Sequence, residues 1–88
     1  MDEAPVTIYT TGWCGFCMQA KALLARKGVT FREVDVSDGP ALREEMIARS
    51  GRRTVPQVFI GDRHLGGLDE LTAADRSGEL DKLLDTAG

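Results

Sequence analysis

The chain has 88 residues, room for one domain spanning residues 1–88 and too few for two. A formal net charge of -3 argues against nucleic acid as a partner, because binding a phosphate backbone needs a basic face. With 42% hydrophobic residues and no apolar run long enough to span a bilayer, the composition is that of a soluble globular protein with no membrane partner.

The start, Met1-Asp2-Glu3-Ala4-Pro5, is acidic and lacks the basic and apolar regions of a signal peptide. A cytoplasmic location is therefore expected. Val6-Thr7-Ile8-Tyr9-Thr10 alternates and is rich in β-branched residues, which predicts a strand. From Cys14 to Lys27, Ala20, Leu23, Leu24 and Lys27 fall at helical spacing, with Gly28 as a natural stop. Thr30 to Val36 reads as a second strand. Asp38-Gly39-Pro40 signals a helix start, with Pro40 suited to the first turn. Leu42, Met46 and Ile47 share one face of that helix, and Gly51 ends it.

Gln57-Val58-Phe59-Ile60 is an apolar strand, and Gly61-Asp62 predicts a tight turn into Arg63-His64-Leu65. Gly66-Gly67 breaks that strand. Asp69 is placed to cap a helix carrying Leu71 and Ala74. Ser77-Gly78 interrupts it, and Leu80, Leu83 and Leu84 mark a last short helix. The order β-α-β-α-β-β-α-α predicts an α/β fold: one four-stranded mixed sheet with flanking helices. The first two strands should be parallel and the last two antiparallel. His64 is expected at the surface. Arg49, Arg52 and Arg53 could form a local basic patch.

The two cysteines, Cys14 and Cys17, sit where the first strand hands over to the first helix. A thiolate is the species that attacks a disulfide, and a helix start favours negative charge through its unsatisfied N–H groups and dipole. Cys14 is thus the expected nucleophile. Cys17, three residues on, faces the same side and should be more buried and less reactive. Two bland readings compete. A structural disulfide gains little from closing so short a loop, and a closed zinc site usually needs four ligands where the chain has two Cys and one His. C-x-x-C near a β-α-β pattern is a redox signal.

With these residues in hand, the chain resembles the glutaredoxin family nearly end to end, from Val6 to Leu84. Three motifs carry the resemblance: Tyr9-Thr10-Thr11-Gly12-Trp13-Cys14-Gly15-Phe16-Cys17, Thr54-Val55-Pro56 and Gly66-Gly67-Leu68-Asp69. The stretch Arg43-Glu44-Glu45-Met46-Ile47-Ala48-Arg49-Ser50-Gly51 also looks like the bacterial dithiol class. The resemblance implies a thioredoxin fold and an enzyme, a glutathione-dependent thiol–disulfide oxidoreductase. It would reduce protein–glutathione mixed disulfides and protein disulfides through Cys14 and Cys17. Its partners would be glutathione and proteins that are glutathionylated or disulfide-bonded, and it would act as a monomer.

Residue by residue, the resemblance implies a cis peptide before Pro56, with the Val55 backbone pairing with an extended peptide such as glutathione. Thr54 belongs to the same segment. Gly67, Leu68 and Asp69 would bind the γ-glutamyl end, with Asp69 accepting from the α-ammonium. Arg43 would meet the glycine carboxylate, and Arg53 could add charge at that end. Phe16 supplies an apolar wall, and Trp13 a lip over Cys14.

The sequence also departs from the pattern. Thr11 stands where many glutaredoxins carry Lys, which removes a cation from the thiolate and from the glutathione carboxylate. Gly15-Phe16 replaces the usual Pro-Tyr and is typical of the single-cysteine class that handles iron–sulfur clusters. An alternative is therefore a carrier in which Cys14 from two chains and two glutathiones hold a [2Fe–2S] cluster in a homodimer. The opening with Trp13 and Gly15 also resembles mycoredoxins, which use mycothiol. Gly66-Gly67-Leu68-Asp69 favours glutathione.

Overall fold

A computed structural model describes residues 6–87, and the acidic start read above lies outside the described residues. Strand β1 (Val6–Thr10) leads into helix α1 (Gly15–Arg26), then β2 (Phe31–Asp35). A 3-10 turn (Val36–Asp38) precedes α2 (Pro40–Ser50). The chain then forms β3 (Gln57–Ile60), β4 (Arg63–Gly66), α3 (Leu68–Ser77) and α4 (Glu79–Ala87). The strands lie in the order β2-β1-β3-β4. β1 pairs parallel with β2 and antiparallel with β3, and β3 pairs antiparallel with β4. The expected mixed sheet is present.

The central strands are buried on both faces, which explains why β3 carries four apolar or enclosed residues in a row. Alternation sorts them. Val6 and Ile8 of β1 and Val58 and Ile60 of β3 pack with Ala20, Leu23 and Leu24 of α1 and with Leu71, Ala74 and Leu80 of α3 and α4. Tyr9 and Phe59 face the other way, onto Val34, Val36 and Met46. The Tyr9 and Phe59 rings meet edge to face at 5.7 Å. Truncating a fully buried member such as Leu24 to Ala should cost about 2–5 kcal/mol. At the far end of α1, Lys27 bridges Asp75 at 3.2 Å and Asp81 at 2.9 Å, which ties α1 to α3 and α4.

Several details differ from the sequence-based expectation. The second strand stops at Asp35, because the Asp35 carboxylate accepts the Ser37 N–H at 2.9 Å and turns the chain into the 3-10 segment. β4 continues through Gly66 with a register shift opposite Val58/Phe59. His64 is not simply at the surface. Its ring is partly buried, lies 4.9 Å from the Phe59 ring, and brings Nε2 within 2.6 Å of Gln57 Oε1. Two arginines of the expected patch, Arg49 and Arg52, are engaged separately. Arg49 lies over the Phe59 ring at 4.2 Å and donates to Tyr9 Oη, and Arg52 pairs with Glu70.

Candidate active site

Cys14 is the N-cap of α1, with extended backbone, and its side chain does the capping. The Cys17 N–H donates to Cys14 Sγ at 3.1 Å. One of the orphan donors of the helix start is thereby satisfied by the sulfur. The Cys14 thiol also points at the carbonyl oxygen of Val55, 3.8 Å away. The Val55–Pro56 peptide is cis, as the resemblance implied. Cys14 is half-buried, so one side of its sulfur remains open.

Cys17 is 1% exposed, one turn inside α1 beneath Cys14. Burial pushes its thiol up to about 12, and the adjacent Cys14 sulfur adds to the shift. A hydrogen bond from the Thr11 backbone acts in the opposite direction. The expected asymmetry is realised: an accessible sulfur at the helix cap and an enclosed, protonated thiol behind it. Around the opening stand Trp13, Phe16 and Met18, at 100%, 62% and 66% exposure. Trp13 lies in solvent and packs into no core.

A groove of about 360 Å³ runs between the cis-Pro segment and the start of α3. It brings together Phe16, Thr54, Val55, Pro56, Gly67, Leu68 and Asp69 from the sequence-based set. Arg43 and Thr11 are not among its lining residues. Arg43 donates to the Arg53 carbonyl at 3.1 Å, against the loop that precedes Thr54. Thr11 is half-buried.

The lining also includes Arg52, Gln57 and Glu70, which sequence reasoning did not assign to this role. Gln57 is 1% exposed and donates its amide to the Thr54 carbonyl at 3.0 Å and to Thr54 Oγ1 at 3.2 Å. Its other end meets His64. The segment opposite Cys14 is thus held from within the sheet. The only hint in the sequence was a polar Gln opening an otherwise apolar strand.

The cap of α3 is a correction. Gly67, not Asp69, occupies the N-cap, and Asp69 is exposed in the first turn. The Gly67 N–H donates to Glu70 Oε1 at 2.6 Å, the half of a capping box that needs no side chain at Gly67. The glycines leave room here. A Cβ on Gly66, whose φ is +128°, would lie 2.5 Å from the Glu70 carboxylate, and one on Gly67 would lie 3.3 Å from the Pro56 carbonyl.

Among the described residues, no group of three or more His, Cys, Asp or Glu side chains gathers to hold a metal ion. With Cys17 enclosed, one chain presents a single accessible thiol. Among the described residues, no helix is long and apolar enough to cross a membrane.

A cysteine at a strand-to-helix cap, a second cysteine one turn inside and a facing cis-Pro on a β2-β1-β3-β4 sheet define a thiol–disulfide oxidoreductase of the thioredoxin fold. The family model for glutaredoxin matches residues 6–65. The chain belongs to the glutaredoxin family. It is 56% identical over 81 residues to glutaredoxin 3 of Escherichia coli (strain K12), covering 92% of this chain and 98% of that relative. The solution structure of glutaredoxin from Brucella melitensis superposes with a TM-score of 0.84 at 52% identity, covering 100% of this chain and 96% of that one. The crystal structure of a buckwheat glutaredoxin–glutathione complex superposes with a TM-score of 0.87 at 33% identity, covering 97% and 80%.

Proposed function

We propose that this protein uses glutathione to reduce protein–glutathione mixed disulfides and protein disulfides, with Cys14 as nucleophile and Cys17 as resolving thiol. The observation that carries the reading is the position of Cys14 Sγ: it accepts the Cys17 N–H at 3.1 Å, and the Val55 carbonyl stands 3.8 Å away. An extended peptide paired along Val55 would bring its own sulfur to that point. The relative solved as a glutathione complex supports the choice of peptide.

In this mechanism the Cys14 thiolate attacks the glutathionyl sulfur of a mixed disulfide. The old S–S bond breaks, the protein thiolate leaves and takes a proton from water, and Cys14 carries the glutathionyl group. A glutathione thiolate then attacks that group, releasing glutathione disulfide and the Cys14 thiolate. With a protein disulfide, Cys14 attacks one substrate sulfur, the substrate S–S bond breaks and the other sulfur leaves as a thiolate. Cys17, on losing its proton, attacks Cys14 Sγ and expels the substrate sulfur that Cys14 had joined. Two glutathiones then reduce the Cys14–Cys17 disulfide and leave as glutathione disulfide.

Within the groove, the α-carboxylate of the γ-glutamyl end faces the first N–H groups of α3, which precede the helix bond from Leu71 N–H to the Gly67 carbonyl. Asp69 accepts from the α-ammonium. Thr54 and Pro56 frame the pairing edge and Leu68 and Phe16 cover the peptide, while Arg43 and Thr11, which do not line the groove, would serve the glycine end by the family resemblance. These donors and the carboxylate suit an amino-acid terminus, which favours glutathione over mycothiol. A [2Fe–2S] cluster would need Cys14 of two chains and two glutathiones, since one chain offers a single accessible thiol, and no step of the reductase runs through one. Turnover draws on a pool of reduced glutathione, which points to the cytoplasm.

The test is a glutathione-coupled assay with a glutathionylated peptide, run on the parent, Cys14→Ser and Cys17→Ser. Loss of turnover in Cys14→Ser with retention in Cys17→Ser is expected. Residual activity in Cys14→Ser above about one per cent would refute the nucleophile.

A further inference from the structure

Thr54, Val55 and Pro56 lie just before β3, and the ladder between β1 and β3 ends at the Tyr9–Gln57 pair. The segment that faces Cys14 is therefore outside the ladder, and a buried side chain holds it instead. The Gln57 amide nitrogen lies 3.0 Å from the Thr54 carbonyl oxygen and 3.2 Å from Thr54 Oγ1. A carbonyl can only accept, so the nitrogen of the amide faces Thr54 and its oxygen faces the other way. That oxygen lies 2.6 Å from His64 Nε2, which must then carry a proton. The His64 ring is in turn seated on the ring of Phe59, its cross-strand partner. The bonds run in one direction, from His64 to Gln57 to Thr54.

We propose that Gln57, oriented by His64, is a positioning residue for substrate selection: it sets the Val55 backbone to pair with a peptide, so the enzyme favours disulfides whose sulfur belongs to one. The inference rests on the glutathione reading of the groove. The carbonyl that Gln57 holds belongs to the peptide unit shared by Thr54 and Val55, and that unit is trans. In a trans peptide the N–H points opposite to the C=O. Drawing the Thr54 carbonyl toward Gln57 therefore turns the Val55 N–H away from it, toward an incoming acceptor. The Thr54 hydroxyl, held by the same amide, fixes the unit at a second point.

The experiment compares kcat/KM for one peptide whose cysteine carries either glutathione or mercaptoethanol. The mercaptoethanol form offers a disulfide with no backbone to pair. In a reaction of two successive displacements, kcat/KM for the disulfide reports the first exchange alone. The parent should prefer the glutathionyl form by at least about tenfold, the value of one or two hydrogen bonds. Gln57→Met keeps length and apolar burial but neither donates nor accepts as the amide does. It should lower kcat/KM for the glutathionyl form by about five- to thirtyfold, and for the mercaptoethanol form by less than about twofold. His64→Phe keeps a ring against Phe59 and removes the donor to Gln57. It should shift the same ratio by about two- to fivefold, and add nothing in the Gln57→Met background.

An unmoved ratio in Gln57→Met overturns the positioning role. So does an equal fall on both substrates, which would mean a loosened fold, and so does a His64→Phe effect that persists in the double variant. If Gln57→Met does not fold, His64→Phe decides alone: a shifted ratio supports the role and an unmoved one overturns it. A parent with no preference between the two substrates refutes the glutathione reading, and the positioning with it. A parent preference that the variants keep in full refutes the positioning alone.

Discussion

Cys14 Sγ lies 3.8 Å from the carbonyl oxygen of Val55, a residue 41 positions further along the chain. β1 and β3 are hydrogen-bonded neighbours, so the loop after one and the loop before the other open at the same edge of the sheet. The sulfur proposed to react and the backbone that would align a peptide are thus set by a single strand pairing. Mutations that leave this pairing intact should separate chemistry from recognition.

Cys17→Ser is the first such separation. It should retain at least about a tenth of the parent rate on a glutathionylated peptide, because glutathione itself resolves the Cys14 adduct. The same variant should lose reduction of protein disulfides that depend on internal resolution. Parallel assays with the two substrates check this, and equal loss on both contradicts it.

Asp69→Ala probes recognition. Asp69 is exposed and does not cap α3, so its removal should leave the thermal midpoint nearly unchanged. If it pairs with the α-ammonium, kcat/KM for the glutathionylated peptide should fall by about 1–2 kcal/mol, roughly five- to thirtyfold. A falling thermal midpoint with unaltered kinetics would assign it to the helix instead.

His64 sets a pH dependence of stability. Burial, then the Arg52 charge, holds its imidazole below the ordinary value of 6.5. Above 6.5 the ring is neutral in both folded and unfolded chains and costs nothing. As pH falls below 6.5 the unfolded chain takes up the proton first, so stability is lost toward the folded value. The chain has one histidine, so this slope belongs to it. Urea midpoints at about pH 7.5 and 5.5 should differ in the parent and converge in His64→Gln, and an unchanged difference contradicts the account.

Much of this was legible in local signals. Alternation marked β1, helical spacing marked α1, and Pro40 and Gly51 bounded α2. The resemblance added the cis peptide before Pro56 and most of the groove. What escaped depends on contacts between distant positions. Asp69 looks like a cap by residue type, yet Gly67 takes the cap because Glu70 reaches back to its N–H. The Arg52–Glu70 pair spans 18 positions and has no periodic signature. The 3-10 turn after Asp35 turned on one side-chain bond to Ser37. His64 looked like a hairpin surface residue, and its neighbours Phe59 and Gln57 became visible only once β3 and β4 were paired.

The central claim is that Cys14 itself accepts the glutathionyl group. It is tested most directly by intact-mass measurement of Cys17→Ser mixed with a glutathionylated peptide in the absence of free glutathione. The account predicts one glutathionyl adduct, mapped to Cys14, with release of one equivalent of free peptide thiol. An unmodified protein, or an adduct to the peptide in place of the glutathionyl group, would contradict it.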